Sequence, residues 1–286
     1  MKPQETRNGE ILNDFSLMLL PSSPHSPQRV LYYSNVAVGS DIYAIGGCLE
    51  LSSSVRILDC QSHTWRDGPN MMIARSDPVA VYLDEKIYVM GGCKNDESAN
   101  WFEVFDIKTQ TWKALPNPDH ELREYFYVNP DALEKKLYLA ADTKDYTYEP
   151  KDGTWKVVRE VSSCQQILYS CVIENVMYSF CDSHGHIKWY DTEGREWREV
   201  KGLDIFYSHR WGLICIVNYG GKLVVMWRQW SAVNHSQNPE TKICCAKIAL
   251  EKRHGDEIWG TLEWCNIVLT LPNSYYCLTT CVAVSI

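Results

Sequence analysis

The sequence has no long hydrophobic run, and no apolar stretch reaches the roughly 20 residues that a membrane-spanning helix requires. It also has no excess of positive charge, because 28 Lys and Arg stand against 36 Asp and Glu, a net charge of −8. This balance argues against non-specific binding to nucleic acid or to an anionic membrane surface. We therefore expect neither a nucleic-acid partner nor a membrane association.

A sustained helical period is absent as well, because apolar residues nowhere recur at helical spacing over a long stretch. Residues 1–14 are polar and lack the apolar core of a secretory signal, so we expect a disordered N-terminal tail. The twelve cysteines lie largely in strand-like stretches, where a thiol packs as a small hydrophobe. Without a secretory signal, we expect reduced thiols and a location in the cytoplasm, the nucleus or both.

Motifs of nucleophilic or metal-dependent catalysis are also missing. The sequence has no Gly-x-Ser-x-Gly turn, no phosphate-binding glycine loop and no His-Glu-x-x-His pair. The stretch from Cys181 to His186 contains residue types that bind zinc, but a structural zinc site needs four well-placed ligands. We interpret this stretch as a polar turn and expect no catalytic residue, no metal and no cofactor.

The sequence does contain a pattern that recurs every 40 to 50 residues. An apolar strand-like run is anchored at Tyr43, Tyr88, Tyr138, Tyr178 and Val224, and a Trp follows at Trp65, Trp112, Trp155, Trp197 and Trp264. An acid stands six residues before the first four Trp, at Asp59, Asp106, Glu149 and Asp191. We interpret the acids as turn caps and the Trp side chains as packing between neighbouring units.

Two glycines end the second strand of the first two units, at Gly46–Gly47 and Gly91–Gly92, where the backbone needs freedom that a Cβ would deny. Each unit is predicted to hold four strands, and units of this length predict a β-propeller. The predicted units cover residues 36–69, 79–116, 128–158, 170–201 and 212–272, within a propeller domain of residues 15–286.

The two ends of the chain predict how the ring closes. The run Phe15–Leu20 reads as a lone strand followed by Pro21, and Cys277–Ile286 is another strand-like run. An open propeller would leave two bare sheet edges, so we expect these runs to share an incomplete sixth blade. The predicted fold is all-β, with five full four-stranded blades and this sixth one.

The period, the double glycine and the Trp spacing resemble the kelch repeat. More closely, the chain resembles the plant F-box/kelch family, through the acid-to-Trp spacing, the restriction of glycine pairs to early repeats, and the ending Glu257–Gly260, Glu263–Trp264 and Val268–Asn273. The resemblance implies an N-terminal F-box that docks onto a ubiquitin-ligase scaffold. Only about 14 residues precede the first predicted strand here, so we expect the substrate-recognition half without that box.

The resemblance also implies that a partner binds the loops at one mouth of the propeller. The segments that join one unit to the next contain Arg75, Arg123 and Arg210. We hypothesise a cationic ring there, suited to carboxylate or phosphate. Its aromatic neighbours, as anchors of a binding hot spot, are Tyr125, Tyr127, Tyr169 and Trp211. The alternative is that each arginine pairs with an acid of the next blade and only staples the ring.

These features predict a module that binds a protein partner inside the cell. The alternative is the substrate-recognition component of a cullin-type ubiquitin ligase. A glycan-active propeller enzyme is a third reading, since Lys151–Trp155 faintly resembles the Asp-box turn of sialidases. That turn is itself structural, and the copper site of galactose-oxidase-like propellers cannot be assembled from this sequence.

Overall fold

The computed structural model describes residues 34–47, 50–94, 100–118, 129–141, 144–160, 169–181, 186–203, 211–229, 240–253, 256–272 and 281–285. Within these residues, twenty strands form five separate four-stranded antiparallel sheets. The chain is therefore an all-β, five-bladed propeller. The described part of the chain contains no helix that is long and apolar enough to cross a membrane.

Each blade takes four strands that are consecutive in the sequence. Blade 1 contains β1 Asn35–Val38, β2 Asp41–Ile45, β3 Val55–Asp59 and β4 Thr64–Gly68. Blade 2 contains β5 Val79–Leu83, β6 Lys86–Met90, β7 Phe102–Asp106 and β8 Thr111–Ala114. Blade 3 contains β9 Asn129–Leu133, β10 Lys136–Ala140, β11 Asp145–Glu149 and β12 Thr154–Arg159.

The last two blades follow the same plan. Blade 4 contains β13 Tyr169–Ile173, β14 Val176–Cys181, β15 His186–Asp191 and β16 Glu196–Glu199. Blade 5 contains β17 Trp211–Tyr219, β18 Lys222–Gln229, β19 Glu240–Arg253 and β20 Glu257–Pro272. Blade 5 has the longest strands of the five blades. β19 has 14 residues and β20 has 16, and their pairing is interrupted only by two register shifts.

Neighbouring blades contact each other through their first strands. β1 contacts β5, β5 contacts β9, β9 contacts β13, and β13 contacts β17. This arrangement places the first strand of each blade nearest the centre of the ring. Between blades 1 and 2 the core contains Val55 and Ile57 packed with Ile87 and Phe105. Similar apolar clusters lie between blades 2 and 3, between blades 3 and 4, and between blades 4 and 5.

The seam between blade 5 and blade 1 is built differently. Among the described strands, β17 and β1 make no contact comparable to those of the other first strands. Residues 281–285 lie at this seam, where the Ser285 N–H donates to the Gly39 carbonyl at 2.9 Å. The predicted sixth blade is not shown, because residues 281–285 form no strand and Phe15–Leu20 lies outside the described residues, as do residues 1–14.

Candidate functional site

The two rims of the propeller carry different kinds of loop. Because successive strands run in opposite directions, the blade-to-blade linkers and the loops after each second strand share one rim. The opposite rim carries the two short turns of each blade. Of the predicted partner-binding residues, Arg75, Tyr169 and Trp211 are described and belong to the linker rim, whereas the repeated acids belong to the turn rim.

On the turn rim, three repeated aspartates cap the turn before the last strand. Asp59 Oδ1 accepts bonds from the backbone N–H groups two and three residues later, at 2.8 and 3.1 Å. Asp106 and Asp191 make the same pair of bonds in blades 2 and 4. These backbone donors hold the pKa of Asp59 and of Asp106 below the usual value. The Glu149 carboxylate instead lies 3.7 Å from Lys136 Nζ.

Two of the repeated Trp side chains link their blade to the one before it. Trp112 Nε1 donates to the Pro69 carbonyl at 2.9 Å, and Trp155 Nε1 donates to the Pro116 carbonyl at 2.9 Å. Both carbonyls follow the last strand of the preceding blade. Trp197 packs on a Tyr of its own blade, with ring centres 5.2 Å apart. Trp65 in β4 is half-buried and lies opposite the buried Leu58 of β3.

On the linker rim, the double glycines make room for the linker backbone. Gly92 has a φ of +69°, and a Cβ there would lie 2.4 Å from the Ser76 carbonyl oxygen. The Ser76 N–H donates to the Gly92 carbonyl at 2.8 Å. In blade 1, the Gly47 N–H donates to the Arg75 carbonyl at 2.9 Å. Gly46 and Gly91 also take positive φ, so each pair shapes the loop against which the linker lies.

Arg75 projects from this linker into the body of blade 2. Its Nε donates to Glu103 Oε1 at 2.8 Å, and its Nη2 lies 2.8 Å from the same oxygen. Its remaining donors reach the carbonyls of Gly91 at 2.6 Å, Trp101 at 3.1 Å and Asn100 at 2.6 Å. The second Glu103 oxygen accepts the backbone N–H of the linker residue Met72 at 2.9 Å. The linker is therefore fastened to blade 2 by a saturated charged network.

The side chains of Arg75 and Glu103 are both 0% exposed. This burial corrects the hypothesis that Arg75 belongs to an exposed cationic ring. A guanidinium removed from water requires a partner charge and bonds to its N–H groups, and the interior of blade 2 supplies both. At this linker, the structure matches the alternative of an arginine that staples one blade to the next.

The acid of this staple occurs in one blade of the five. Glu103 pairs across the sheet with Val89, the residue that follows the Tyr anchor of the second strand. The residues at the same register in the other blades are Arg56, Tyr146, Lys188 and Ala246. None of them is acidic, so the carboxylate that buries Arg75 has no equivalent in blades 3 and 5.

The other predicted rim residues are placed only in part. Arg123, Arg210 and Tyr125 lie outside the described residues, as does Tyr127. Trp211 is the first residue of β17. Tyr169 is the first residue of β13, half-buried and packed against the apolar core between blades 4 and 5. Of the three arginines in the predicted ring, the structure therefore describes only Arg75, which is buried.

Sequence analysis missed three carboxylates in the interior: Glu103 and Asp145, which are 0% exposed, and Asp131, which is partly buried. Glu103 lies between Phe102 and Val104 in an apolar strand, which is a detectable signal because an acid buried in a sheet needs a cation. Asp131 lies in the innermost strand of blade 3, beside Ser170 of blade 4. Burial raises the pKa of Asp131 to about 6, although the Ala132 N–H donates to its carboxylate at 2.8 Å.

Among the described residues, no group of three or more His, Cys, Asp or Glu side chains is arranged to hold a metal ion. The stretch from Cys181 to His186 is described only at its two ends. His186 Nδ1 lies 2.6 Å from a Glu199 carboxylate oxygen in the next strand, as in an ordinary cross-strand pair.

A family model described as the FKB95, Kelch-repeats domain matches residues 1–269. The F-box/kelch-repeat protein At5g39560 of Arabidopsis thaliana is 54% identical over 313 residues, which cover 100% of this chain and 75% of that protein. The F-box/kelch-repeat protein At4g29370 of Arabidopsis thaliana is 42% identical over 273 residues, covering 90% and 70% respectively.

One solved structure, titled "Structure of YjhT", superimposes with a TM-score of 0.51. It is 10% identical and covers 86% of this chain and 96% of that one. At this identity the likeness concerns the fold alone.

Proposed function

The chain belongs to the plant F-box/kelch-repeat family, and we propose that its propeller binds a partner protein through the linkers at one rim. On this proposal the propeller acts by binding rather than by catalysis, in the cytoplasm or the nucleus. The partner-binding residues are Arg123 and Arg210, with Tyr125, Tyr169 and Trp211 beside them. Arg75 supports the rim from within and does not touch the partner.

The observation that carries this proposal is that Glu103 is the one acid among the five residues that occupy its register in the five blades. In blade 3 the equivalent residue is the buried Tyr146, and in blade 5 it is the buried Ala246. At that register, an arginine of the preceding linker would therefore find no carboxylate in either blade, and the buried Asp145 of blade 3 is already held by the Tyr138 hydroxyl at 2.7 Å and lies 3.8 Å from Arg159. Because a guanidinium is costly to bury without one, Arg123 and Arg210 are the arginines that remain for a partner.

The chemistry of the proposed partner follows from the arginines. A guanidinium binds carboxylate or phosphate through two parallel N–H bonds, and neighbouring aromatic rings supply contact area. The whole chain carries a net charge of −8, so a local cationic surface would be distinct from the rest of the molecule. We propose that the partner presents an acidic segment to this rim.

The proposal is tested by a charge-reversed variant carrying Arg123→Glu and Arg210→Glu. The tagged full chain is incubated with a plant cell extract, and retained proteins are quantified by mass spectrometry. A matched control carries Lys151→Glu and Arg195→Glu, because both residues are exposed in turns of the opposite rim. The proposal requires that the rim variant loses specifically retained proteins while the control keeps them, with equal thermal midpoints.

Equal retention by the rim variant and the native chain would reject a partner site at these arginines. Arg75 is left unchanged in this experiment because its reversal would place two carboxylates together inside blade 2. Such a variant would report on folding instead of binding.

A second candidate function is substrate recognition for a cullin-type ubiquitin ligase. It is favoured by the F-box in the names of the similar Arabidopsis proteins. Recovery of cullin-scaffold subunits with the tagged full chain would support this role. Retention of other proteins without any scaffold subunit would favour the simple interaction module.

We further propose that a sixth, incomplete blade completes the ring at the seam between blades 5 and 1. Support comes from the C-terminal residues, which contact blade 5 through Cys281 and blade 1 through Ser285. Deleting residues 277–286 should then lower the thermal midpoint. A deletion that leaves the midpoint unchanged would remove the C-terminal half of this proposal.

A further inference from the structure

A row of sulfur-containing side chains crosses the face of blade 5 that is turned away from blade 4. Cys215 of β17 lies directly opposite Met226 of β18, which lies opposite Cys245 of β19. Residues directly opposite each other in a sheet point to the same face. The alternate residues, such as Val225 and Ala246, pack into the cluster shared with blade 4. The sulfur row therefore faces the seam towards blade 1.

The C-terminal segment brings another thiol to this row. Cys281 Sγ donates to Met226 Sδ at a separation of 3.7 Å. The side chain and the backbone N–H of Cys281 also lie within hydrogen-bonding reach of the Cys215 sulfur. Cys215 is 3% exposed, whereas Cys281 is half-buried. Two free thiols from distant parts of the chain are thus in direct contact.

The contact couples the titration of the two thiols. The bonds from Cys281 lower the pKa of Cys215, although burial opposes this shift. The same contact and burial raise the pKa of Cys281. The pair can therefore supply one thiolate beside one thiol, and a thiolate is the nucleophile in sulfur chemistry.

We propose that Cys215 and Cys281 are a reversible disulfide pair that fastens the C-terminal segment to blade 5 under oxidation by a hydroperoxide. One sulfur of the pair, as the thiolate, attacks an oxygen of hydrogen peroxide, forming a sulfenic acid and releasing hydroxide. The other sulfur then attacks the sulfenic sulfur, forming the disulfide and releasing water. Two electrons pass from the two sulfurs to the peroxide, and a thiol reductant restores both cysteines.

The neighbouring cysteines are less suited to this exchange. Cys245 lies in the same row, but Met226 separates it from Cys215, and burial raises the pKa of Cys245 to about 12. Cys265 pairs with Ala246 and so points to the opposite face of the sheet. Cys215 is therefore the one thiol of the described blade 5 that Cys281 contacts by hydrogen bonds from both its side chain and its backbone.

The disulfide would have a structural consequence at the seam. Residues 281–285 reach blade 1 through the bond from Ser285 to Gly39. A covalent bond at Cys281 would hold this segment between the last and the first blade. It would also close a long covalent loop of the chain, which restricts the unfolded state. Oxidation is therefore expected to raise thermal stability.

The experiment uses the full chain, first reduced and then treated with hydrogen peroxide at a low molar ratio. Free thiols are alkylated, and disulfide-linked peptides are identified by mass spectrometry. The expected product links the peptides of Cys215 and Cys281, and its thermal midpoint is higher by several degrees than that of the reduced chain. Addition of dithiothreitol should reverse both changes.

Variants separate this pair from general oxidation. Cys281→Ser should lose the linked peptide and the rise in midpoint, and because Cys281 is partly exposed this variant is expected to fold. Cys245→Ser is the matched control in the same row and should keep both. A disulfide between other cysteines, or oxidation of Cys215 that leaves Cys281 a free thiol, would overturn the proposal.

Discussion

Blade 2 and blade 5 build the same four-stranded sheet by different means. Blade 2 has strands of four or five residues, a glycine pair and the buried ion pair of Arg75 with Glu103. Blade 5 has strands of up to 16 residues, and at the register of the glycine pair its second strand has Trp227 and Arg228. At the register of Glu103 it has the buried Ala246.

The difference shows that departure from the repeat is not loss of the blade. Blade 2 buries its two middle strands almost completely and adds a few specific contacts at its rim, where the loop must accommodate a charged side chain. Blade 5 depends on long strand pairing and on apolar side chains shared with blade 4. Single substitutions should therefore be more damaging in blade 2 than at equivalent places in blade 5.

The largest expected effect is at the buried ion pair. Glu103→Gln removes the charge that balances Arg75, and breaking a buried pair costs about 3–5 kcal/mol of the free energy of unfolding. Urea denaturation measures the loss. The matched control is Glu257→Gln, which removes the partner of Lys201 in an exposed pair and should have a much smaller effect, because an exposed ion pair is screened by solvent. Equal losses would show that the pair does not staple the blades.

A smaller effect is expected at the second glycine of blade 2. Gly92→Ala places a Cβ 2.4 Å from the Ser76 carbonyl oxygen at a φ of +69°, so both clash and backbone strain are introduced. We expect a loss of roughly 2–4 kcal/mol. Gly220→Ala in blade 5 is the control, because its φ is also positive but nothing lies within 4 Å. That variant should lose about 1 kcal/mol.

Asp131 of blade 3 contrasts with the ion pair of blade 2, because no ion pair involving this partly buried carboxyl is seen among the described residues. Its folded pKa of about 6 lies above the unfolded value near 3.8, so the protonated form is favoured by folding. The resulting stability is complete below about pH 4 and is lost as the pH rises through 6. Asp131→Asn should remove this dependence and be more stable at pH 7 by about 1–2 kcal/mol.

The measurement is denaturation of both chains from pH 4 to pH 7.5. Other groups titrate in this range, so the difference between the native chain and the variant isolates Asp131. Parallel curves for the two chains would show that Asp131 titrates at its ordinary pKa.

The smallest effect is expected at the turn caps, which both early and late blades share. Asp106→Ala removes two backbone bonds in an exposed turn, so the thermal midpoint should fall less than in Gly92→Ala. Because the pKa of Asp106 is lowered by folding, its contribution is present above the unfolded pKa and lost as the pH falls. The variant and the native chain should therefore converge in acid. Asp191→Ala in blade 4 serves as the matched comparison.

Much of the fold follows from local sequence patterns. Alternating apolar residues, the turn aspartates and the recurring Trp predict five blades of four strands, because strand period and turn chemistry act within a few residues of the chain. The prediction is confirmed in blade 5 too, where the glycine pair is missing. The sixth blade stays a prediction, since its strands depend on segments at the two ends of the chain.

The candidate site was less predictable, and Arg75 shows why. Its place in a linker indicates the correct rim, but the direction of the side chain depends on an acid 28 residues later in the sequence. An acid inside an apolar strand is a signal that could have revealed this pair. No similar signal predicts the contact of Cys215 with Cys281, because the C-terminal segment reaches blade 5 only in the folded ring.

The amino-acid sequence alone was enough to predict the propeller and the number of full blades, because both rest on contacts within one repeat or between adjacent repeats. The tertiary structure decided which charges are exposed and which sulfurs meet. Those outcomes depend on the side chains that a neighbouring blade presents at a buried register, where an unpaired guanidinium is costly and an acid such as Glu103 compensates for it.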